Sequence, residues 1–276
     1  MQIWQTSRFR LALDRPLVMG IVNVTPDSFS DGGRHFASAR SAVAHCEALV
    51  ADGAHILDIG GESTRPGIAP VSLEDERARV LPVLREAVRL GVPVSLDTYK
   101  SELMREALDL GVDIINDIWA LRQPGAEAAV AAHPDCGVCI MHMQNNPEDM
   151  QIAPHYENVV GEVADFLRAA ITRLQERGVS HHRICIDPGF GFGKNLEHNV
   201  ALFRNLEFLR EHLDMPVLVG MSRKSMIGQL TGKPVQERLA GSVAAALCAA
   251  AHGADIVRVH DVAATVDALK VWRALS

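Results

Sequence analysis

The sequence predicts a (β/α)8 barrel, the TIM barrel, and three observations lead to that fold class. Short apolar runs recur along the chain, helical patterns separate them, and a glycine often stands where a helix gives way to a run. Eight strand–helix units fit into 276 residues, and a barrel of this kind usually takes about 250 residues. The runner-up is a doubly wound open sheet, which would more often contain fewer units.

The apolar runs lack polar alternation, as expected for strands that are covered on both faces. We expect strands at about 17–23, 55–60, 93–97, 112–117, 137–142, 183–187, 216–221 and 255–260. We expect helices at about 37–52, 72–90, 100–110, 125–133, 156–178, 197–213, 236–252 and 263–274. Glycine at a helix C′ position adopts the left-handed conformation at low cost, so it marks helix ends. The glycines in such positions are Gly53, Gly91, Gly111 and Gly253.

The links from strand to helix are much longer than those from helix to strand. In a barrel these longer loops gather at the carboxyl ends of the strands, where active sites lie. They are 24–36, 61–71, 143–155, 188–196 and 222–235. No linker or low-complexity segment interrupts the pattern, so we expect one domain over residues 1–276.

Composition limits the class of partner. Hydrophobic residues make up 48% of the chain and the net charge is −7, which argues against a general nucleic-acid or membrane-surface binder. No apolar stretch approaches the roughly 20 residues of a membrane span, and the first residues lack a basic region followed by an apolar run, so no secretion signal is expected. Five cysteines without a framework spacing suit a reduced, cytoplasmic protein. Cys136 and Cys139 form a lone CxxC, which we interpret as a turn cysteine followed by a strand-core cysteine.

The stretch DPGFGFGK at 187–194 resembles a phosphate loop at first sight. A P-loop needs four residues between its glycines and Ser or Thr after the lysine, whereas Asn195 follows Lys194 here. The dinucleotide pattern GxGxxG is also missing. An aspartate beside two aromatic rings suggests a flat, nitrogen-rich ligand instead.

Polar residues stand at or just past the carboxyl end of every predicted strand. Because the strand ends of a barrel converge on one mouth, we expect these residues to share a pocket. They are Asn23, Asp58, Asp97, Asn116 with Asp117, His142, Asp187, Ser222 with Lys224, and Arg258 with His260. Each has a simpler interpretation by itself: Asp58 could cap a loop, Asn116 could bond a neighbouring strand, and His142 could be a core histidine with its hydrogen bonds satisfied.

The set divides into two chemical groups. Asp97, Asn116 and Asp187 are acceptors beside the donor Lys224, and a heterocycle with an amidine-like edge would satisfy such acceptors. Side chains that could cover its flat faces are Ile118, Met141 and Phe192. The second group brings donors and positive charge, which suits a phosphate or pyrophosphate, although surface ion pairing would also explain Arg65 and Arg258. It consists of Asn23, Thr64, Arg65, Arg258 and His260. Asn23 also offers a hard oxygen for Mg²⁺.

Over residues 17–275 the chain resembles the dihydropteroate synthase family. The motifs that carry the resemblance are MGIVNVTPDSFSDGG at 19–33, DIGGESTRPG at 58–67, DPGFGFGK at 187–194, GMSRKS at 220–225 and RVH at 258–260. The resemblance implies a transferase of alkyl or aryl groups in the folate pathway. It would join 6-hydroxymethyl-7,8-dihydropterin diphosphate to p-aminobenzoate, releasing pyrophosphate and forming 7,8-dihydropteroate. It also implies a homodimer and competition by sulfonamides at the p-aminobenzoate pocket.

The resemblance further implies a role for each motif residue. The catalytic residues would be Asp97 and Lys224. The pterin would be held by Asp97, Asn116, Ile118, Met141, Asp187, Phe192, Gly220 and Lys224. The diphosphate would be held by Asn23, Thr64, Arg258 and His260, with Mg²⁺ on Asn23. The p-aminobenzoate pocket would be formed by Thr64, Arg65, Pro66, Phe192 and Ser222.

Three alternatives stay open at this point. A pterin- or folate-binding barrel without synthase activity would need no diphosphate group and no Thr64-Arg65-Pro66 loop. A sugar-phosphate isomerase or aldolase on the same fold should carry its base or lysine on a strand, whereas Lys224 lies just past one. A synthase-like paralogue that binds without turnover would have lost part of the motifs, which are intact here.

Overall fold

The computed structural model describes residues 2–25, 35–63, 69–146 and 150–276. Its strands are β1 (Ile3–Gln5), β2 (Arg10–Ala12), β3 (Leu17–Asn23), β4 (Ile56–Gly60), β5 (Val94–Asp97), β6 (Ile114–Asp117), β7 (Gly137–Met141), β8 (Ile184–Asp187), β9 (Leu218–Val219) and β10 (Ile256–Val259). Its α-helices are α1 (His35–Ala51), α2 (Leu73–Ala87), α3 (Ser101–Asp109), α4 (Ala126–Ala132), α5 (Val159–Glu176), α6 (Leu196–Arg204), α7 (Leu206–Leu213), α8 (Ser225–Thr231), α9 (Leu239–Ala251) and α10 (Val262–Leu275).

Strands β3 to β10 form one parallel sheet in the order β8-β7-β6-β5-β4-β3-β10-β9. A parallel bridge joins Ile186 to Val217, and the Ile186 N–H donates to the Pro216 carbonyl at 2.9 Å. These contacts place the residues just before β9 against β8 and close the ring. The predicted (β/α)8 barrel is therefore confirmed, and the open doubly wound sheet is wrong.

The helices follow their strands as predicted, and the glycine turns behave as expected. Gly53, Gly91, Gly111 and Gly253 have φ values of +95°, +78°, +96° and +89°. This is the left-handed region that a side chain with a Cβ rarely adopts. Each of these residues ends a helix and leads into the next strand.

The structure differs from the prediction in three places. The helix expected over 197–213 is broken at Asn205 into α6 and α7. The segment 222–235, expected to be a loop, contains α8. The hairpin β1–β2 was not predicted at all, and it places the fully buried Trp4 in the same cluster as inner strand residues, with its indole N–H donating to the Arg183 carbonyl at 2.9 Å.

Apolar layers lie on both faces of the strands. The larger layer lies between the outer faces of the strands and the helices and includes Val18, Leu57, Leu96 and Val257. The smaller layer fills the interior of the barrel on the amino-terminal side of the polar strand ends. In the part of the chain that the structure describes, no helix has the length and apolar content needed to cross a membrane.

Candidate active site

The inner face of the barrel changes from apolar to polar along the strands. Side chains two residues apart share a face of a strand. The buried inner cluster contains Met19, Ile56, Ile114, Cys139, Cys185, Leu218 and Ile256. Two residues further along the same strands stand Ile21, Asp58, Asn116, Met141, Asp187, Gly220 and Arg258. An apolar floor therefore lies below a largely polar layer at the carboxyl ends of the strands.

Arg258 is the centre of this polar layer. Its Nε donates to Asp58 Oδ2 at 2.6 Å, and its Nη2 donates to Asp97 Oδ2 at 2.9 Å. Asn116 Nδ2 also donates to Asp58 Oδ2, at 3.2 Å. Strands β4, β5, β6 and β10 thus each contribute one member of a continuous hydrogen-bond network.

The burial of these charges changes their proton affinity. The pKa of Asp97 is raised to about 7, chiefly because burial disfavours its charged form; the charge of Arg258 opposes the rise, and that of Asp58 adds to it. Burial also works against the charge of Arg258, but its carboxylate partners outweigh it and the pKa of Arg258 is raised. Within the described residues, Asp58 Oδ1 is buried and has no hydrogen-bond partner. An unpaired buried acceptor is costly, so this oxygen leaves the network one donor short.

Asp187 occupies the opposite side of the mouth, at the end of β8. Its Oδ1 accepts the Gly189 N–H at 2.7 Å, which turns the following loop inwards. Burial raises the pKa of Asp187, and Lys224 is the strongest of the groups that oppose the rise. Lys224 Nζ donates to the Phe190 carbonyl at 2.6 Å and lies 4.7 Å from the centre of the Phe192 ring. Burial, opposed mainly by Asp187, lowers the pKa of Lys224 to about 8.

An apolar wall stands beside the polar layer. Ile118, Met141 and Phe192, the three residues predicted to cover a flat ligand, belong to one small buried cluster with Met143 and Met150. Tyr99 and Trp119 pack against that cluster. The wall and the carboxylates face the same opening, as a bicyclic ring with polar edges requires.

Ser222 and His260 meet at the other edge of the mouth. Ser222 Oγ lies 3.0 Å from His260 Nδ1 and accepts the His260 N–H at 3.2 Å. Gly220 lies on the inner face two residues before Ser222, where a Cβ would come within 3.7 Å of the Arg258 Cβ. Asn23 ends β3 and pairs in register with Gly60. Thr64, Arg65 and Pro66 lie outside the described residues.

Sequence reasoning missed two features of this site. It expected Asp58 at the mouth, with a loop cap as the simpler alternative, but gave it no partner and no role, whereas the structure pairs it with Arg258. Its position two residues after an inner apolar residue is the signal that could have shown this. It also left Lys194 without a role, although the side chain is buried beneath the loop. Asp117 is not part of the pocket: its carboxylate accepts the N–H groups of Trp119 and Leu121 at 2.8 and 2.9 Å.

The barrel and the acceptor-rich layer at its mouth define the class, namely barrel enzymes that bind a pterin. A family model described as pterin binding enzyme matches residues 19–260. The chain is 56% identical over 277 residues to the dihydropteroate synthase of Neisseria meningitidis serogroup B, covering 99% of this chain and 97% of that protein.

Solved structures give the same result. The dihydropteroate synthase of Burkholderia cenocepacia complexed with 7,8-dihydropteroate is similar with a TM-score of 0.90 and 51% identity, covering 99% of this chain and 96% of that one. The Xanthomonas albilineans enzyme with 4-aminobenzoic acid gives a TM-score of 0.90 and 54% identity, covering 96% and 95%. The chain belongs to the dihydropteroate synthase family. The comparisons thus support a transferase over a barrel that only binds pterins.

Proposed function

We propose that the chain condenses 6-hydroxymethyl-7,8-dihydropterin diphosphate with p-aminobenzoate to give 7,8-dihydropteroate and pyrophosphate. The observation that carries this proposal is the inner layer of acceptors, which includes Asn116 and Asp187, beside an apolar wall. A pterin has a donor-rich edge and two flat faces, so it matches both surfaces at once. A sugar phosphate would leave the apolar wall unused.

The pterin ring would lie between the wall and the two sides of the mouth. Asn116 and Asp187 would accept from its N–H and NH₂ groups, and Lys224 would donate to its acceptors. Ile118, Met141 and Phe192 would cover its faces, and Gly220 would leave room for the ring near Arg258.

The diphosphate would lie towards Arg258 and His260, whose N–H groups can donate to its oxygens. A phosphate contact from Thr64 is part of the same proposal. Asn23 fits Mg²⁺ as a single hard oxygen ligand at the strand end. The described residues hold no group of three or more His, Cys, Asp or Glu that could bind a metal, and Mg²⁺ usually takes only one or two protein ligands together with substrate phosphates. When bound, Mg²⁺ would neutralise charge on the departing diphosphate.

The reaction breaks the bond between the exocyclic methylene carbon and the diphosphate oxygen, and forms a bond from that carbon to the arylamine nitrogen. The electron-rich ring stabilises the methylene as a cation, and the Asp97 carboxylate favours that positive charge. The amine attacks with its own lone pair and then loses a proton to water, so no covalent nucleophile is needed. Asp97 and Lys224 are accordingly the proposed catalytic residues.

The second substrate would enter beside the pterin. Phe192 and Ser222 form the described part of the proposed p-aminobenzoate pocket, which Thr64, Arg65 and Pro66 would complete. Sulfonamides, which share the shape of p-aminobenzoate, would compete there. We also expect a single-domain, cytoplasmic homodimer.

The test is a direct assay. Purified protein is mixed with Mg²⁺, the pterin diphosphate and labelled p-aminobenzoate, and labelled dihydropteroate is expected. Folded protein that binds the pterin but forms no product would favour the binding-only barrel instead.

A further inference from the structure

Lys194 carries a buried amine that the proposed chemistry does not use. The residue is 3% exposed, and its Nζ lies 2.8 Å from His142 Nδ1, 2.9 Å from the Gly189 carbonyl oxygen and 3.0 Å from that of Phe192. A fourth, longer contact of 3.5 Å joins the same nitrogen to the His142 carbonyl oxygen. The amine donates to the two loop carbonyls and pairs with the imidazole of His142. Burial lowers the pKa of Lys194, and the nearby Asp187 opposes this lowering.

His142 supplies the closest partner of the Lys194 amine, at 2.8 Å. Burial, and after it the charge of Lys194, lowers the pKa of His142 to about 2, so its imidazole is neutral. His142 directly follows β7, and Lys194 ends the loop after β8. The contact therefore ties together the carboxyl ends of two neighbouring strands.

The loop between β8 and Lys194 is packed tightly against His142. Gly189 has a φ of +72°, and a Cβ at this position would lie 1.9 Å from the His142 carbonyl oxygen. From the barrel mouth, Lys224 Nζ holds the Phe190 carbonyl at 2.6 Å. Lys194 binds the loop from its buried side, through two carbonyls at once.

Those two carbonyls belong to residues that shape the site. The Gly189 N–H donates to Asp187 Oδ1 at 2.7 Å, so moving Gly189 would move or release that carboxylate. The Phe192 ring is part of the apolar wall and lies under Lys224. Lys194 thus acts on an acceptor for the pterin and on a wall shared by both substrates, without facing either.

We infer that Lys194 and His142 form a buried brace that positions Asp187 and Phe192 for both substrates. Lys194 is a positioning residue in this role, not a catalytic one. The inference rests on the proposed synthase function and adds two residues to it.

Four variants test the brace. Lys194→Met keeps most of the side-chain volume and removes the amine with all of its hydrogen bonds. His142→Asn retains an oxygen near the position of Nδ1, whereas His142→Gln moves its amide one methylene further away. Lys233→Met is the control, because it removes an exposed lysine that pairs only with Glu237 among the described residues.

The measurements are kcat, the KM of each substrate, and equilibrium binding of 6-hydroxymethylpterin, which needs no turnover. In Lys194→Met we expect both KM values and the pterin Kd to rise by about tenfold or more. We expect kcat to fall by less than about threefold, because Asp97 and Arg258 act from other strands. His142→Gln should behave like Lys194→Met, and His142→Asn should stay within about threefold of the unmodified protein.

Two results would overturn the brace. One is a folded Lys194→Met whose KM and Kd values stay within about twofold of those of the unmodified protein. The other is that His142→Asn and His142→Gln show the same KM values and the same pterin Kd. If Lys194→Met does not fold, the two His142 variants decide the matter alone. Failure of the proposed function is seen separately, as absence of product from the unmodified protein and from Lys233→Met, and the brace is then judged from pterin Kd.

Discussion

Removal of the guanidinium at the centre of the mouth is the most informative perturbation of this site. Arg258 bonds Asp58 at 2.6 Å and Asp97 at 2.9 Å, and Asp58 is fully buried. Arg258→Met preserves much of the aliphatic volume but leaves two carboxylates facing each other without a cation. Removing one member of a buried ion pair typically costs about 3–5 kcal/mol of stability.

The cost should depend on pH with a defined sign. Asp97 has a pKa of about 7 although Arg258 lowers it, so the variant should have a still higher pKa. When Asp97 is protonated in both proteins, the loss of the cation matters less. As pH rises through about 7, Asp97 becomes charged in the unmodified protein, where the charge of Arg258 compensates it. In the variant, Asp97 must either carry a buried charge without a cation or keep its proton, and both cost stability relative to the unmodified protein. The deficit in the free energy of unfolding should therefore grow with pH.

Urea unfolding at pH 5.5, 7.0 and 8.5 measures this deficit. We expect about 3–5 kcal/mol at the highest pH, equivalent to roughly 5–9 °C in Tm for a chain of this size, and a smaller value at the lowest pH. Arg223→Met is the matched control, because Arg223 pairs with Asp261 at the surface and should contribute at most about 1 kcal/mol at any of these pH values. A deficit for Arg258→Met below about 1 kcal/mol at pH 8.5, or one independent of pH, would refute this account of the network.

Three further predictions concern the acceptor Asp187, the buried partners of Lys100 and the proposed metal. Asp187→Ala should keep the fold and lose pterin affinity, measured by titration calorimetry; unchanged affinity would remove that residue from the site. Lys100→Met should lower the free energy of unfolding by about 3 kcal/mol, because it strands the carboxylates of Glu62 and the buried Glu76; a loss no larger than that of Lys233→Met would contradict this. Chelation with EDTA should abolish turnover but spare binding of 6-hydroxymethylpterin, and Mg²⁺ should restore it; full turnover in chelator would count against a metal-assisted step.

The barrel could be predicted because its determinants are local. Uninterrupted apolar runs indicate strands covered on both faces, and glycines such as Gly111 mark helix ends. The hairpin β1–β2 could not be found this way, since each strand has three residues and its stability depends on Trp4 packing beneath the barrel. The position of α8 inside an expected loop likewise has no strong periodic signal over seven residues.

The candidate site was predictable as a set of residues but not as a set of partners. That Asp97, Asn116 and Arg258 share a mouth follows from parallel strands and their common direction. That Arg258 bonds two carboxylates follows from strand register and side-chain length, which no local pattern encodes. The same limit hid Lys194, whose partners lie just past β7 and on its own loop.

The charges at the mouth explain why a diphosphate substrate would need additional positive charge there. In the described part of the mouth, Asp58, Asp97 and Asp187 oppose Arg258 and Lys224, so three carboxylates face two cations. Such a layer suits the donor edge of a pterin, and the arginine proposed to meet the diphosphate is already shared between two aspartates. Little of its charge is therefore left for the departing group. In the proposed mechanism, Mg²⁺ held by the diphosphate and Asn23 would supply the remaining positive charge, so the chelation experiment should affect turnover and spare binding of the pterin ring.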